Sequence, residues 1–152
     1  MFFTGRFVRS LDEKHRLAIP KSLRDSLGKQ AERPLFVAPG LDGALAIYPE
    51  EGFARLVDRL QTGPPTASEV RDYSRLFFSQ AASARIDSQG RLRLPMELVS
   101  WAKLENEVVL LGVQDRMEIW RPDVWAAYVN ERQERYDQIA EAAFGQAAPP
   151  TK

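Results

Sequence analysis

The sequence predicts an α+β fold in which one β-rich module is present twice and is flanked by helices. Residues 7–23 align with residues 82–98 at a constant offset of 75, so that Asp, Arg, Leu and Pro recur at identical spacing. Short runs of alternating apolar residues predict strands in each copy, and apolar residues at helical spacing follow them. Two copies are too few for a solenoid. We therefore expect one unit of two intertwined halves, with a pseudo-twofold axis within the chain.

The strands of each copy follow one pattern: two strands around a polar turn, a short helix, then two more strands around a second turn. The predicted strands are Arg6–Leu11, Arg16–Ile19, Leu35–Ala38 and Ala44–Tyr48 in the first copy, and Ala84–Ile86, Arg91–Leu94, Val108–Val113 and Met117–Trp120 in the second. Pro20 and Pro95 fit the first turn of the short helix, where a missing N–H costs nothing. Beyond this helix the offset becomes 72, which aligns Val37 with Val109.

Apolar residues at helical spacing predict three further helices. Their stripes are Phe53, Leu56, Val57 and Leu60; Val70, Tyr73, Phe77 and Ala81; and Trp125, Tyr128, Val129, Tyr136, Ile139 and Ala143, the last in one long terminal helix. We expect Phe53, Leu56, Val57 and Trp120 to be core residues. The Gly-, Pro- and Thr-rich segment Gln61–Glu69 predicts a linker. The chain thus divides into a first module (5–52), connecting helices and linker (53–80), a second module (81–124), a C-terminal helix (125–144) and a disordered tail (145–152).

The first polar turn of each copy begins with an aspartate and ends with an arginine. Asp12 and Asp87 can accept backbone N–H bonds from the residues that follow, which shapes a turn. Gly90 stands where the chain is expected to need a positive φ, and His15 is its counterpart in the first copy. These four residues form the predicted turn-shaping set, and we expect the His15 turn to be the more strained.

Lys14, Arg16 and Arg91 are the candidate DNA-binding residues. The net charge of the chain is zero, but residues 1–30 carry seven Lys and Arg against three Asp and Glu, and residues 75–103 carry five against two. Each basic stretch contains one of the turns. Two related hairpin turns, each with an arginine at its tip, are suited to contacts with phosphates and base edges in a DNA groove. The alternative is that Asp and Arg form only a surface ion pair of small energetic effect.

The composition excludes several kinds of site. There are no cysteines for disulfides or thiolate metal sites, and one histidine is too few for a His-based zinc site. No apolar run approaches the roughly 20 residues that span a bilayer, and the N-terminal residues lack a signal-peptide core. We therefore expect a cytoplasmic protein with no metal, no cofactor, no membrane contact and no small-molecule substrate.

Several stretches within roughly residues 1–130 resemble sequence motifs of the MraZ family of bacterial transcriptional regulators, and they occur in the same order along the chain. They are Asp12–Pro20, Asp42–Gly43 with Ile47–Pro49, Arg75–Phe77, Asp87–Pro95, and Glu107–Val113 with Glu118–Trp120. The resemblance implies two AbrB-like swapped-hairpin β-barrel modules per chain, assembled into a ring-like homo-oligomer. It also implies binding to repeated boxes of double-stranded DNA upstream of the division and cell-wall gene cluster, and hence association with the nucleoid.

Basic motif residues of this family correspond to Lys14 and Arg16 in the first copy and to Arg91 in the second. His15 departs from the family pattern, which usually has glycine at this position. The resemblance therefore implies two tips that contact DNA, the first with an unusual turn residue.

Two other functions are compatible with parts of the sequence. Aspartic proteases also combine a duplicated β-module with one Asp per half, and their two carboxylates share a proton. Asp12 and Asp87 do not lie in Asp-Thr/Ser-Gly turns, however, and the arginine after each would keep both ionised. The second alternative is a ring-forming scaffold without catalytic activity that binds protein partners through its amphipathic helices and aromatic side chains. We favour DNA binding, and expect Lys21 and Arg24 to lie on a solvated helix face.

Overall fold

The computed structural model describes residues 2–62 and 66–147. The chain divides into two compact units, of which the first ends at Arg121 and contains both copies of the repeat, and the second begins at Pro122. The strands are β1 (Arg6–Ser10), β2 (Arg16–Ala18), β3 (Leu35–Pro39), β4 (Leu45–Tyr48), β5 (Ala82–Ala84), β6 (Arg91–Arg93), β7 (Glu107–Val113) and β8 (Arg116–Trp120). The α-helices are α1 (Lys21–Leu27), α2 (Glu50–Gln61), α3 (Ser68–Gln80), α4 (Met96–Trp101), α5 (Pro122–Arg132) and α6 (Tyr136–Ala147).

The strands of the two copies are interwoven in antiparallel sheets. A six-stranded sheet has the order β1-β7-β8-β4-β3-β5, and β2 and β6 form a separate two-stranded ribbon. Strand β1 of the first copy pairs with β7 of the second, and β5 of the second pairs with β3 of the first. The predicted α+β class and the intertwining of the halves are therefore confirmed. Among the described residues, no sheet closes on itself into a barrel.

The pairing of the strands obeys the internal symmetry. Ala46 lies opposite Glu118 in the β4–β8 pair, and Leu17 lies opposite Leu92 in the ribbon. In each pair the two partners are counterparts in the repeat. A pseudo-twofold relation therefore holds at the centre of the large sheet and at the centre of the ribbon.

Strand register corrects one part of the sequence alignment. Phe7 lies opposite Leu110, and its counterpart Ala82 lies opposite Val37. Val37 therefore corresponds to Leu110, an offset of 73, and not to Val109 as the alignment predicts. The second copy is shorter by two residues before this strand and by one more residue after it, because the β7–β8 turn is tighter than the β3–β4 turn.

The boundaries of several elements in the modules also differ from the prediction. Pro20 and Pro95 have ψ of 147° and 141°, so each extends the chain out of its strand and α1 and α4 begin at the next residue. Strand β5 begins and ends two residues earlier than predicted, and Ile86 forms only an isolated bridge with Leu92. Helices α2 and α3 reach into the predicted linker, whose residues 63–65 lie outside the described residues.

The apolar stripe that begins at Trp125 lies on two helices and not on the single long helix that the spacing predicts. A 3₁₀ turn at Gln133–Arg135 separates α5 from α6, and the φ of −113° at Arg132 departs from the helical value. Helix α6 continues to Ala147, so the first three residues of the predicted disordered tail are helical. The rest of that predicted tail, 148–152, lies outside the described residues.

The hydrophobic core of the first unit draws on both copies. Leu17 and Leu92 are completely buried beneath the ribbon. Other buried core residues are Leu23, Leu27, Leu35, Val37, Leu45, Ile47, Leu94, Leu98, Val108, Leu110 and Ile119. Trp120 is buried as predicted, whereas Phe53, Leu56 and Val57 are only half-buried. The ribbon is thus anchored from below by a packed apolar layer, which fixes the position of its outer face.

Candidate nucleic-acid interface

The two Asp-to-Arg turns, called tips below, have the same backbone hydrogen bonds. In the first tip the Asp12 carbonyl accepts the His15 N–H at 2.9 Å, and the Arg16 carbonyl accepts the Asp12 N–H at 3.2 Å. The corresponding distances in the second tip are 3.0 and 2.8 Å. His15 has a φ of 61° and Gly90 a φ of 80°. Each tip is therefore a tight turn in which the residue before the arginine is left-handed, a conformation that glycine adopts more readily than histidine.

The aspartate side chains add a second layer of hydrogen bonds to the tips. Asp12 Oδ1 accepts the backbone N–H groups of Lys14 and Arg16 at 2.9 and 2.8 Å. Asp87 Oδ1 accepts those of Gln89 and Arg91, both at 2.9 Å. In both copies a single carboxylate oxygen is thus occupied by two backbone donors within its own turn.

The ribbon joins the two tips. Its three residue pairs are Arg16 with Arg93, Leu17 with Leu92, and Ala18 with Arg91. The His15 carbonyl accepts the Leu94 N–H and the Gly90 carbonyl accepts the Ile19 N–H, both at 2.9 Å. Because the strands are antiparallel, the tips lie at opposite ends of the ribbon, and each is hydrogen-bonded to the other copy.

The outer face of the ribbon carries three arginines. Successive residues of a strand point to opposite faces, and since Leu17 and Leu92 are buried, Arg16, Arg91 and Arg93 share the opposite side. Arg93 is exposed, and it lies across from Arg16. The sequence-based set of basic residues omitted Arg93. The two-residue spacing from Arg91 along a short strand was the signal that could have identified it.

The guanidinium groups of the tips are held by carboxylates. Arg16 Nε donates to Asp12 Oδ2 at 2.6 Å, and Arg91 Nε donates to Asp87 Oδ2 at 3.3 Å. Arg91 Nη1 also lies 3.7 Å from Asp12 Oδ2, so this pair crosses between the copies. The side chains of Arg16 and Arg91 are 30% and 28% exposed. They lie against the tips and do not extend outward, and the ion pairs that the sequence offered as an alternative are formed.

The tips hold their carboxylates in the ionised form. The backbone hydrogen bond from Arg16, aided by its side chain and by the N–H of Lys14, lowers the pKa of Asp12 to about 2. The backbone N–H of Arg91, followed by that of Gln89, likewise lowers the pKa of Asp87. Both side chains are therefore negatively charged at neutral pH, as the arginines that follow them in the sequence led us to expect.

The remaining basic residues near the first tip differ in their surroundings. Lys14 is exposed. Lys21 is also exposed and pairs with Asp25 at 2.9 Å, which fits the expected solvated face. Arg24 does not fit it: its Nε donates to the Ile19 carbonyl at 2.9 Å. A Cβ at Gly90 would lie only 3.2 Å from the Arg24 guanidinium carbon, so this side chain packs over the second tip.

Within residues 2–62 and 66–147, no group of three or more His, Cys, Asp or Glu side chains is placed to hold a metal ion. No helix in these ranges combines the length and apolar character needed to cross a membrane.

Comparison with known proteins assigns the chain to a family. The family described as "MraZ protein, putative antitoxin-like" matches residues 2–76 and 77–147, one copy of the repeat in each match. The transcriptional regulator MraZ of Moorella thermoacetica is 37% identical over 139 residues, which cover 91% of this chain and 94% of that protein. The transcriptional regulator MraZ of Heliobacterium modesticaldum is 39% identical over 140 residues, with the same coverage. On the double match and on these full-length relatives, the chain belongs to the MraZ family.

Proposed function

We propose that this protein is a sequence-specific DNA-binding transcriptional regulator without catalytic activity, and that the ribbon with its two tips is the surface that contacts DNA. The observation that carries the proposal is the convergence of Arg16, Arg91 and Arg93 on the outer face of one narrow two-stranded ribbon. Membership of a family whose relatives are named transcriptional regulators supports it.

The shape of the ribbon suits the proposed role. A two-stranded ribbon is narrow enough to enter the major groove of B-DNA. The buried pair Leu17 and Leu92 anchors it from below, so the arginines are presented from a fixed platform. Arginine is well matched to this task because its planar guanidinium can donate two parallel hydrogen bonds to guanine or to a phosphate.

The residues divide into two proposed roles. Asp12, His15, Asp87 and Gly90 shape the tips through the backbone conformation and hydrogen bonds described above. Arg16 and Arg91 contact the DNA, and exposed Lys14 contacts phosphate. We add Arg93 to this set on the basis of its exposure and its position in the ribbon.

The wider assembly is part of the same proposal. The interwoven strands support an AbrB-like swapped-hairpin arrangement that encloses a barrel-like core. Exposed apolar side chains on α6, among them Tyr136 at 73% and Phe144 at 78%, are suited to contacts between copies in a ring. A ring would bring several tips to repeated boxes upstream of the division and cell-wall genes, and so multiply weak contacts through effective concentration. The site of action would be the nucleoid in the cytoplasm.

The first experiment selects the DNA fragments that the purified protein binds from a random pool, and then measures their affinity for variants. Arg16→Ala and Arg91→Ala should each lower the affinity for tandem copies of the selected box while leaving folding and oligomeric mass unchanged. Arg59→Ala is the matched control, since it removes one positive charge from an exposed position on α2. The proposal fails if no fragment is enriched, or if both tip variants bind the selected DNA as tightly as the unaltered protein does.

A further inference from the structure

The two oxygens of the Asp12 carboxylate are engaged with different partners. Oδ1 accepts two backbone N–H groups of its own turn. Oδ2 faces two guanidinium groups, with Arg16 Nε at 2.6 Å and Arg91 Nη1 at 3.7 Å. One side chain of the first copy therefore contacts the proposed DNA-contacting arginines of both copies.

Asp87, the counterpart of Asp12, is engaged less extensively. Its Oδ2 lies 3.3 Å from Arg91 Nε, a longer distance than in the first tip. Among the described residues, its ion pairing is with the arginine of its own tip alone. The pseudo-symmetric unit is therefore electrostatically unequal, and Arg91 is shared between the two carboxylates while Arg16 is held by Asp12.

We propose that Asp12 competes with DNA phosphate for Arg16 and Arg91, and thereby limits the binding of the protein to DNA that lacks the correct box. This inference rests on the proposed function, because it concerns the same arginines. It assigns Asp12 a role in selectivity beyond the shaping of its turn.

The competition follows from the charges of the tips. The two arginines and two aspartates of the tips sum to zero charge, and the ion pairs are about one-third exposed, so they can exchange their partners. A phosphate that approaches Arg16 must displace Asp12 Oδ2 and is repelled by that oxygen. Random DNA offers only phosphate in return. A correct box also offers base edges, whose hydrogen bonds form only when the guanidinium groups have turned outward.

Asp12→Asn separates the selectivity role from the turn-shaping role. The asparagine side-chain oxygen can still accept the N–H groups of Lys14 and Arg16, because asparagine forms the same kind of turn. The negative charge that holds the two guanidinium groups is lost. Asp87→Asn is the matched variant in the second tip, and it should release fewer contacts, because Asp87 pairs with a single arginine at a longer distance.

The test measures the affinity of each variant for a box fragment chosen by selection and for a scrambled fragment of equal length, over a range of salt concentrations. Asp12→Asn should bind scrambled DNA roughly tenfold more tightly and box DNA more tightly by a smaller factor. The ratio of the affinity for box DNA to the affinity for scrambled DNA should therefore fall. Its log–log salt slope on scrambled DNA should steepen by about 0.9 for each phosphate gained. Asp87→Asn should lie between Asp12→Asn and the unaltered protein.

A cycle of variants checks that Asp12 acts through the arginines. In a protein that already carries Arg16→Ala and Arg91→Ala, Asp12→Asn should raise the affinity for scrambled DNA by a much smaller factor, because only the direct repulsion between Asp12 and phosphate is then removed. An equal increase in both backgrounds would show that Asp12 does not act through the arginines. If Asp12→Asn does not fold, Asp12→Ser takes its place, because a serine hydroxyl can also accept turn N–H groups without charge.

The outcomes separate the two proposals. If the unaltered protein selects a box and Arg16→Ala weakens its binding, but Asp12→Asn leaves the affinity ratio and the salt slope unchanged, then the competition is refuted and the proposed function stands. If no box is selected, the proposed function fails and the inference fails with it.

Discussion

Arg16 and Arg93 lie directly opposite each other in the ribbon, although both are positively charged. Like charges at directly opposite positions of an antiparallel pair destabilise it. The counterpart of Arg93 in the first copy is Ala18, which lies opposite Arg91, so the ribbon carries three arginines where full symmetry would give two or four. A stable fold gains nothing from this arrangement, whereas a surface that binds a polyanion does.

Arg93→Ala is predicted to weaken DNA binding while slightly stabilising the fold. Removing the charge opposite Arg16 should raise the free energy of unfolding by up to about 1 kcal/mol. Affinity should fall to a similar degree for box and scrambled DNA, and the salt slope should become shallower by about 0.9, as expected for a phosphate contact. Urea unfolding and fluorescence anisotropy measure the two effects separately.

Ala18→Arg is the reciprocal variant, since it places an arginine opposite Arg91 and restores the symmetry of the ribbon. It should destabilise the fold and increase the affinity for scrambled DNA. Arg93 would be excluded from the interface if its loss changed neither affinity nor salt slope. A loss of affinity confined to box DNA would instead make it a base-reading residue.

The repeat in the sequence was sufficient to predict the class of the fold and its main strands. Identical spacing over Asp12–Pro20 and Asp87–Pro95 placed two equivalent tips, and the left-handed φ of His15 and Gly90 was expected from residue type. The spacing does not indicate which strands of one copy pair with which strands of the other. The one-residue shift between β3 and β7 became apparent only from their pairing with β5 and β1.

Side-chain partners in the site were harder to predict than its backbone. Arg24 was expected to face solvent from its place on a short helix. Its side chain instead donates to the Ile19 carbonyl and packs against Gly90 in the second tip, where no side chain is in the way. Arg16 was expected to be presented to DNA, with an ion pair to Asp12 as the alternative, and its Nε lies 2.6 Å from Asp12 Oδ2. These outcomes depend on distances through space that a linear pattern does not specify.

His15→Gly and Gly90→Ala are predicted to change stability in opposite directions. A residue with a Cβ costs about 1–2 kcal/mol in the left-handed region. Gly90→Ala should lower the free energy of unfolding by about that amount, because the φ of 80° is unfavourable for alanine and the new Cβ would press on the Arg24 guanidinium. His15→Gly should raise it by less than about 1 kcal/mol, because the extra freedom of glycine in the unfolded chain offsets part of the gain.

Chemical denaturation of both variants at neutral pH measures this asymmetry. Gly43→Ala is a useful comparison, since Gly43 has a similar positive φ, of 84°, but its Cβ would meet no atom within 4 Å. Gly90→Ala should therefore be at least as destabilising as Gly43→Ala. If Gly90→Ala is as stable as the unaltered protein, then this turn accommodates a residue with a Cβ without strain.

Acid should remove the stabilisation that the tip carboxylates contribute. The pKa of Asp12 is about 2 in the folded protein against an ordinary value of 3.8, and the pKa of Asp87 is lowered as well. Between these values the unfolded chain binds more protons than the folded one, so the free energy of unfolding rises with pH. The contribution of Asp12 is fully present above about pH 4–5 and is lost as the pH falls from about 4 to about 2.

Since other carboxylates titrate in the same range, the informative quantity is the difference in stability between the unaltered protein and a variant that combines Asp12→Asn with Asp87→Asn. Urea unfolding should give a clear difference at pH 6 that shrinks steadily below about pH 4 and is still decreasing at about pH 2, because the contribution is lost completely only below the folded pKa. A difference that stays constant over this range would mean that the charges of the tip carboxylates contribute nothing to the stability of the fold.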